Sequence, residues 1–277
     1  MKKLYHLKIK PEDMAELVLL PGDPQRSSYI AEHFLKYAEV INEYRGLRAY
    51  TGFYNNTKVS VVTSGMGAPS AAIVIEELKR LGVDTILRAG TCGGVAKKVK
   101  PSDLVIPTGA GSLIGFKNAY GIGEIPSVPD YQILKNLVTG AERLRSGSSH
   151  HAPAVHIGPI MTSDAFFSEK KDAKSLESKG ILALEMECAA LFALGHVLGI
   201  KTGAILLATG NINYGQQVMD SPAIRTSMDS MIKIALDALT RKMRLKNKEV
   251  YEMSDKPASN EGILRKSDKE NMPGNSI

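Results

Sequence analysis

The chain has 277 residues, 43% of them hydrophobic, which is enough for a full core and excludes a disordered or fibrous protein over most of its length. Two cysteines, Cys92 and Cys188, with no CxxC and no His/Cys cluster at zinc spacing, exclude a disulfide framework and a structural metal site. The formal charge is +6, yet the stretch from Arg241 onward holds nine Lys/Arg against six Asp/Glu, so the body is only mildly basic: a solvated surface suits that balance better than a polynucleotide partner.

The opening "MKKLYHLKIKPEDM" begins with lysines, but no apolar core of a secretory signal follows, and no run approaches the roughly 18 apolar residues of a membrane span. A soluble, cytoplasmic chain without a membrane partner is expected. "ELVLLPGDP" (16 to 24) reads as a buried strand ended by a Pro-Gly-Asp-Pro turn, and "QRSSYIAEHFLKY" has helical spacing. "KVSVVTSGMGAPS" (58 to 70) is a strand running into glycines, followed by an amphipathic helix closed at Gly82. "VDTILRAGTCGG" predicts a third strand ending in glycines, with Arg88 at the strand end. "DLVIPTGA" (103 to 110) is a strand, and 111 to 128 reads as a Gly/Pro-rich connection long enough for a functional loop.

"DYQILKNLVTGAERL" is helical, and "AVHIGPIMTSDAFF" (154 to 167) is a strand leading to a loop. "ALEMECAALFALGHVLG" (183 to 199) predicts a largely apolar helix, "KTGAILLATGNIN" (201 to 213) a late buried strand, and about 222 to 246 a closing helix. Strands alternating with helices predict an α/β domain over 1–246, with a mixed, largely parallel central sheet flanked by helices and its ligand at the strand carboxyl ends. Residues 247–277 are polar and aperiodic, a flexible tail.

Several short stretches carry chemistry. The turn in "PGDPQR" places the Gly22 amide where Arg26, one helical turn later, can reach back: an oxyanion cradle, or a plain turn before a solvated arginine. "GMG" (65 to 67) lacks the third glycine of a dinucleotide fingerprint, so those glycines serve close approach of the backbone to a ligand or a neighbouring element. Arg88 must be paired, since an unpaired charge in a dry site costs several kcal/mol. Its partner is either Asp84 or Asp103, or an anionic ligand that Thr91 and the glycine amides also hold. Glu185 and Glu187 stand two apart and would not share a helix face, so a carboxylate dyad is excluded. One of them could hold a sugar diol, or serve the dipole of a helix N-terminus.

Taken together, "PGDPQR", "YRGLRAYTG", "SGMGAPS", "LRAGTCGG", "TSDAFF" and "EMECAAL" resemble, in order and spacing, the nucleoside phosphorylases of the purine and uridine phosphorylase family over roughly residues 4 to 240. The resemblance implies a pentosyltransferase of nucleoside salvage that cleaves the N-glycosidic bond with phosphate as co-substrate and no other cofactor, releasing base and (deoxy)ribose 1-phosphate. It implies phosphate binding by Gly22, Arg26, Arg88 and Thr91, with Arg45 supplied by the partner subunit. It assigns the ribose hydroxyls to Glu187, the sugar face to Met186, the pocket border to Glu185, the sugar 5' position to His6 from the partner, and base stacking to Phe166. A homo-hexamer built as a trimer of dimers is implied, and Arg88 and Glu187 carry the catalysis.

The purine branch of that family has a Ser-Asp pair after the late strand. Here the stretch reads "LATGNIN", with Gly210 at the acid position and Asn211 beside it. The uridine branch also lacks the acid and has an asparagine in register with Asn211, which favours uridine slightly. The Gln and Arg that usually follow its stacking phenylalanine are missing from "FFSEKKDAK", so a purine nucleoside or 5'-methylthioadenosine is the alternative. The missing acid leaves one reading of another class, a nucleoside-binding protein without catalysis.

Overall fold

The computed structural model describes residues 4–113, 115–146, 152–218 and 221–241. The proposed boundary at 246 and the tail 247–277 lie outside them. In chain order the elements are β1 (Leu17–Leu20), α1 (Pro24–Phe34), β2 (Lys36–Asn42), β3 (Ala49–Tyr54), β4 (Thr57–Val62), α2 (Ala68–Arg80), β5 (Thr85–Gly94), β6 (Leu104–Leu113), α3 (Phe116–Ala119) and α4 (Tyr131–Ser146). There follow β7 (Val155–Ser163), α5 (Lys170–Ser178), β8 (Ala183–Glu185), α6 (Cys188–Leu198), β9 (Lys201–Asn211), β10 (Gln216–Gln217) and α7 (Pro222–Thr240).

One mixed sheet in the order β10-β9-β6-β7-β8-β5-β1-β4-β3-β2 carries the fold, and an added β9–β5 pairing closes β5, β9, β6, β7 and β8 on themselves. The two longest registers, β5 with β9 and β6 with β7, are parallel, while β2–β3–β4 is an antiparallel meander. Val18, Leu20, Ile86 and Leu206 pack on one side against α2 and α6, and Leu19, Leu87, Leu104 and Ile205 on the other against α4 and α7. Burial on both faces explains the nearly continuous apolar runs of the central strands. Among the described residues no helix is long and apolar enough to cross a membrane.

Three expectations change. The strand after Asp84 does not end at Arg88; β5 continues through Gly94 because β9 pairs with it from Thr85↔Lys201 to Gly94↔Asn211. Arg88 therefore lies inside a strand. The segment 183 to 199 is not one helix: Ala183–Glu185 is β8, held between β7 and β5, and α6 begins at Cys188. Helical periodicity could not reveal this, since a fully buried strand and a fully buried helix start are both apolar. The connection from 111 to 128 is partly ordered structure, for β6 runs to Leu113 and α3 buries Phe116, and none of its described residues reaches the large cavity below.

Candidate active site

β1 ends at Leu20, opposite Arg88, while β5 runs on for six more residues. Beyond Arg88 the β1 side of β5 has no strand partner until Gly93 meets Leu184 of β8. A cavity of about 1110 Å³ opens there, large enough for a nucleoside together with an anion.

Arg88 and Gly90 point to the same face of β5, two residues apart. A Cβ at Gly90 would lie 2.8 Å from the Arg88 guanidinium carbon, so only glycine leaves room for the arginine to fold back along its own strand. Its Nη2 bonds Glu187, its Nε lies 3.5 Å from Glu185, and its Nη1 is buried without a hydrogen-bond partner among the described residues. Burial opposes the charge, but Glu187 and then Glu185 outweigh it and hold Arg88 protonated at any ordinary pH. Asp84 and Asp103, the carboxylates expected from sequence, pair instead with Lys201 at 3.2 Å and His156 at 2.8 Å.

The two glutamates converge because a strand, not a helix, precedes Glu187. Glu185, ending β8, accepts the Thr162 hydroxyl at 2.5 Å and the amides of Glu187 and Cys188 at 2.9 Å, and so caps α6. Glu187, at the N-terminus of α6, accepts the Gly67 amide at 2.6 Å. The close approach expected of the glycines in "GMG" is thus to Glu187. Burial pushes Glu187 up from the ordinary carboxylate range, with the Glu185 charge adding to that and Arg88 opposing it.

Arg26 comes from the first turn of α1, which Asp23 caps by accepting the Gln25 amide at 2.8 Å. It donates from Nη1 to the Ala89 carbonyl at 3.3 Å, and its Nε is buried without a hydrogen-bond partner among the described residues. Burial, opposed by Asp23 and reinforced by Arg88, lowers its pKa. Gly22 sits against Arg88 Nη1, at 3.7 Å from the point where a Cβ would stand. Gly22, Arg26, Arg88 and Thr91 all line the cavity.

Met186, Glu185, Glu187, Phe166, Gly210 and Asn211 line it as well. Asn211 and Gly210, neighbours at the end of β9, offer the cavity little side-chain chemistry. Asn211 is 2% exposed, its amide donates to the Ala96 and Val99 carbonyls at 2.9 and 2.8 Å, and its oxygen accepts the Asn213 amide at 3.1 Å. Both of its amide hydrogens are spent on the turn after β5 and are not free to donate to a base. Gly210 offers no side chain, and a Cβ there would collide with the Gln216 carbonyl of β10.

His6 and Arg45 lie outside the cavity of their own chain. His6 Nδ1 is 3.0 Å from Glu77 of α2, whose carboxylate also accepts the amides of Tyr5, His6 and Leu7. Burial of Glu77 works against its charge, but those amides and the imidazole lower its pKa overall. Arg45 is exposed in a 3₁₀ turn at φ 60°, beside the Tyr44 ring.

Several lining residues were not anticipated: Phe167, Glu169, Lys170, Gln216 and Gln217. Glu169 was legible in principle, because positions 169, 173 and 176 fall on one helical face and the other two, Ala173 and Leu176, are buried. Cys92 and Cys188 are buried free thiols whose pKa burial raises, so neither is a nucleophile. Among the described residues no group of three or more His, Cys, Asp or Glu is placed to hold a metal ion.

Fold and site together describe a mixed α/β protein with a cavity lined by two arginines, a neighbouring pair of carboxylates and exposed aromatic rings. The model of the phosphorylase superfamily matches residues 16–239. The guanosine phosphorylase of Halorubrum lacusprofundi is 35% identical over 247 residues, 87% of this chain and 99% of that protein. The DeoD-type purine nucleoside phosphorylase of Listeria welshimeri is 35% identical over 237 residues, covering 84% and 97%. Two solved structures have a TM-score of 0.78 at 26% identity over 86% of this chain: uridine phosphorylase from Vibrio fischeri, 98% covered, and purine nucleoside phosphorylase from Toxoplasma gondii in complex with immucillin-H, 96% covered. The chain belongs to the phosphorylase superfamily, among its purine and uridine nucleoside phosphorylases.

Proposed function

We propose that the chain cleaves the N-glycosidic bond of a nucleoside with inorganic phosphate, giving free base and pentose 1-phosphate. The observation that carries this reading is the pair of buried guanidinium groups, Arg26 and Arg88: Arg26 Nε and Arg88 Nε and Nη1 have no hydrogen-bond partner among the described residues, and both side chains share a cavity with Gly22. Buried donors without partners are costly unless a ligand completes them. A phosphate oxyanion does so, with charge-assisted bonds.

Glu187 bonds Nη2 of Arg88. When phosphate takes the guanidinium, the carboxylate is released to accept the two sugar hydroxyls, and Met186 packs beneath the sugar. Phosphate attacks C1' while positive charge grows on the ring, so positioning and electrostatics supply the rate without a protein nucleophile. Phe166, 58% exposed at the mouth, stacks on the base.

A purine nucleoside is the first candidate. The relatives that are 35% identical over nearly their whole length are named for guanosine and purine nucleosides, and Asn211, one of the two positions that favour uridine, has its amide already committed. Uridine is the second, supported by the likeness to the Vibrio fischeri uridine phosphorylase and by the glycine at position 210. Arg45 and His6, outside their own cavity, suit a dimer in which each subunit completes its partner's site, assembled threefold into a hexamer; sedimentation analysis tests that assembly.

The experiment is an assay of guanosine, inosine, adenosine, methylthioadenosine and uridine with and without phosphate or arsenate. Cleavage that depends on the oxyanion is expected. Undiminished turnover in phosphate-free buffer overturns the reading in favour of hydrolysis, and tight binding with no cleavage overturns it in favour of a binding protein.

A further inference from the structure

Four carboxyl groups line the cavity: Asp23, Glu169, Glu185 and Glu187. Three are committed. Asp23 caps α1, Glu185 caps α6 and lies beside Arg88, and Glu187 bonds Arg88 and the Gly67 amide. Glu169 is the fourth, and its carboxyl has no hydrogen bond or ion pair among the described residues. It is buried at the start of α5, three residues after Phe166, which lines the same cavity.

A departing base takes the electron pair of the C1'–N bond and leaves most easily when it gains a proton at the same time. β9 supplies no acid for this. Gly210 has no side chain, and both hydrogens of the Asn211 amide are held by carbonyls. We infer that Glu169 is the general acid of this chain, delivering its carboxyl proton to the leaving base from the segment that follows β7. The inference rests on the phosphorolysis reading.

The step balances. A phosphate oxygen forms a bond to C1', the C1'–N bond breaks, its electron pair stays with the base, and the base leaves neutral with the Glu169 proton. The sugar phosphate gives its remaining proton to solvent, and solvent returns one to Glu169. The charged groups that share the cavity are Asp23, Glu185 and Glu187, and opposite them Lys170, Arg26 and Arg88. Burial first and the Glu185 charge second push Glu169 up to about 7. A bound phosphate adds negative charge and holds the proton to a higher pH, so the acid is loaded when the nucleophile is in place.

The test compares wild type with Glu169→Gln, which keeps the shape of the side chain and lacks the proton, on inosine and on N7-methylguanosine. The methylated purine already carries positive charge and departs without protonation. Glu169→Gln is expected to lower kcat on inosine by about 10²- to 10⁴-fold and to leave N7-methylguanosine within about threefold. In wild type, kcat/KM for inosine falls as pH rises past about 7 and that for N7-methylguanosine does not. If the chain takes only pyrimidines, uridine and the more acidic 5-fluorouridine form the pair. Equal losses on both substrates show a structural role and overturn the assignment, as does an undiminished inosine rate. A wild type inert to every nucleoside in phosphate overturns the phosphorolysis reading itself, a different result.

Discussion

The two ends of the cavity, the one proposed to hold the anion and the one proposed to hold the base, are built differently. The anion end is assembled from β5, β8 and the first turns of α1 and α6, and Arg88, Glu185 and Glu187 are each 5% exposed or less. The base end is made by a 3₁₀ turn, the start of α5 and the two-residue β10, and there Phe166 and Phe167 are 58% and 98% exposed. Phosphate is the same for every substrate and can be met by a rigid, charged pocket. Bases differ, and short segments outside the closed ring of strands can change without disturbing the core.

Breaking the anion end should therefore cost stability as well as activity, whereas breaking the base end should cost activity alone. The largest effect is expected for Arg88→Met, which leaves two buried carboxylates without their cation: about 3–5 kcal/mol of unfolding free energy, read by urea titration, together with loss of phosphate-dependent turnover. Gly90→Ala acts on the same arginine indirectly. The added methyl meets the guanidinium at 2.8 Å, and about 1–3 kcal/mol of stability and a raised phosphate KM should follow. At the other end, Phe166→Ala should raise the nucleoside KM by the equivalent of about 1–3 kcal/mol of stacking while the urea midpoint and the phosphate KM stay put. A matching loss of stability there would erase the distinction between the two ends.

The smallest effect is a pH dependence. Glu169 has a folded pKa of about 7, above its ordinary value of 4.5, so the folded state holds the proton more tightly than the unfolded chain. Its contribution is fully present below pH 4.5 and is lost as pH rises through about 7. Glu169→Gln should flatten this part of the stability profile and make the protein slightly more stable than wild type at pH 8. Glu77 has the opposite sign: its lowered pKa gives stability that is present above pH 4.5 and is lost on acidification.

The anion end was the more legible from sequence because its residues are constrained by burial. An arginine inside an apolar strand and a carboxylate pair before an apolar helix are costly unless paired, and cost is visible in a pattern. Their pairing with each other was not visible. Asp84 and Asp103 were nearer in sequence to Arg88, yet β1, β9 and β8 decide what stands beside β5, and β8 brings Glu185 and Glu187 from a hundred residues away. Asn211 misled for a related reason: a side chain at a strand end can face a ligand or the chain's own carbonyls, and only the path of residues 96 to 99 shows which.

By itself the sequence determined the alternation of buried strands and helices, the glycine turns, and the presence of charges too costly to leave alone, because each is a local consequence of burial and backbone freedom. The closure of five strands, the meeting of Arg88 with two glutamates, and the cavity carboxyl of Glu169 left without a partner among the described residues were decided by tertiary structure alone. They depend on which segments lie side by side, and hydrogen bonding between distant strands sets that, not the residues' neighbours in the chain.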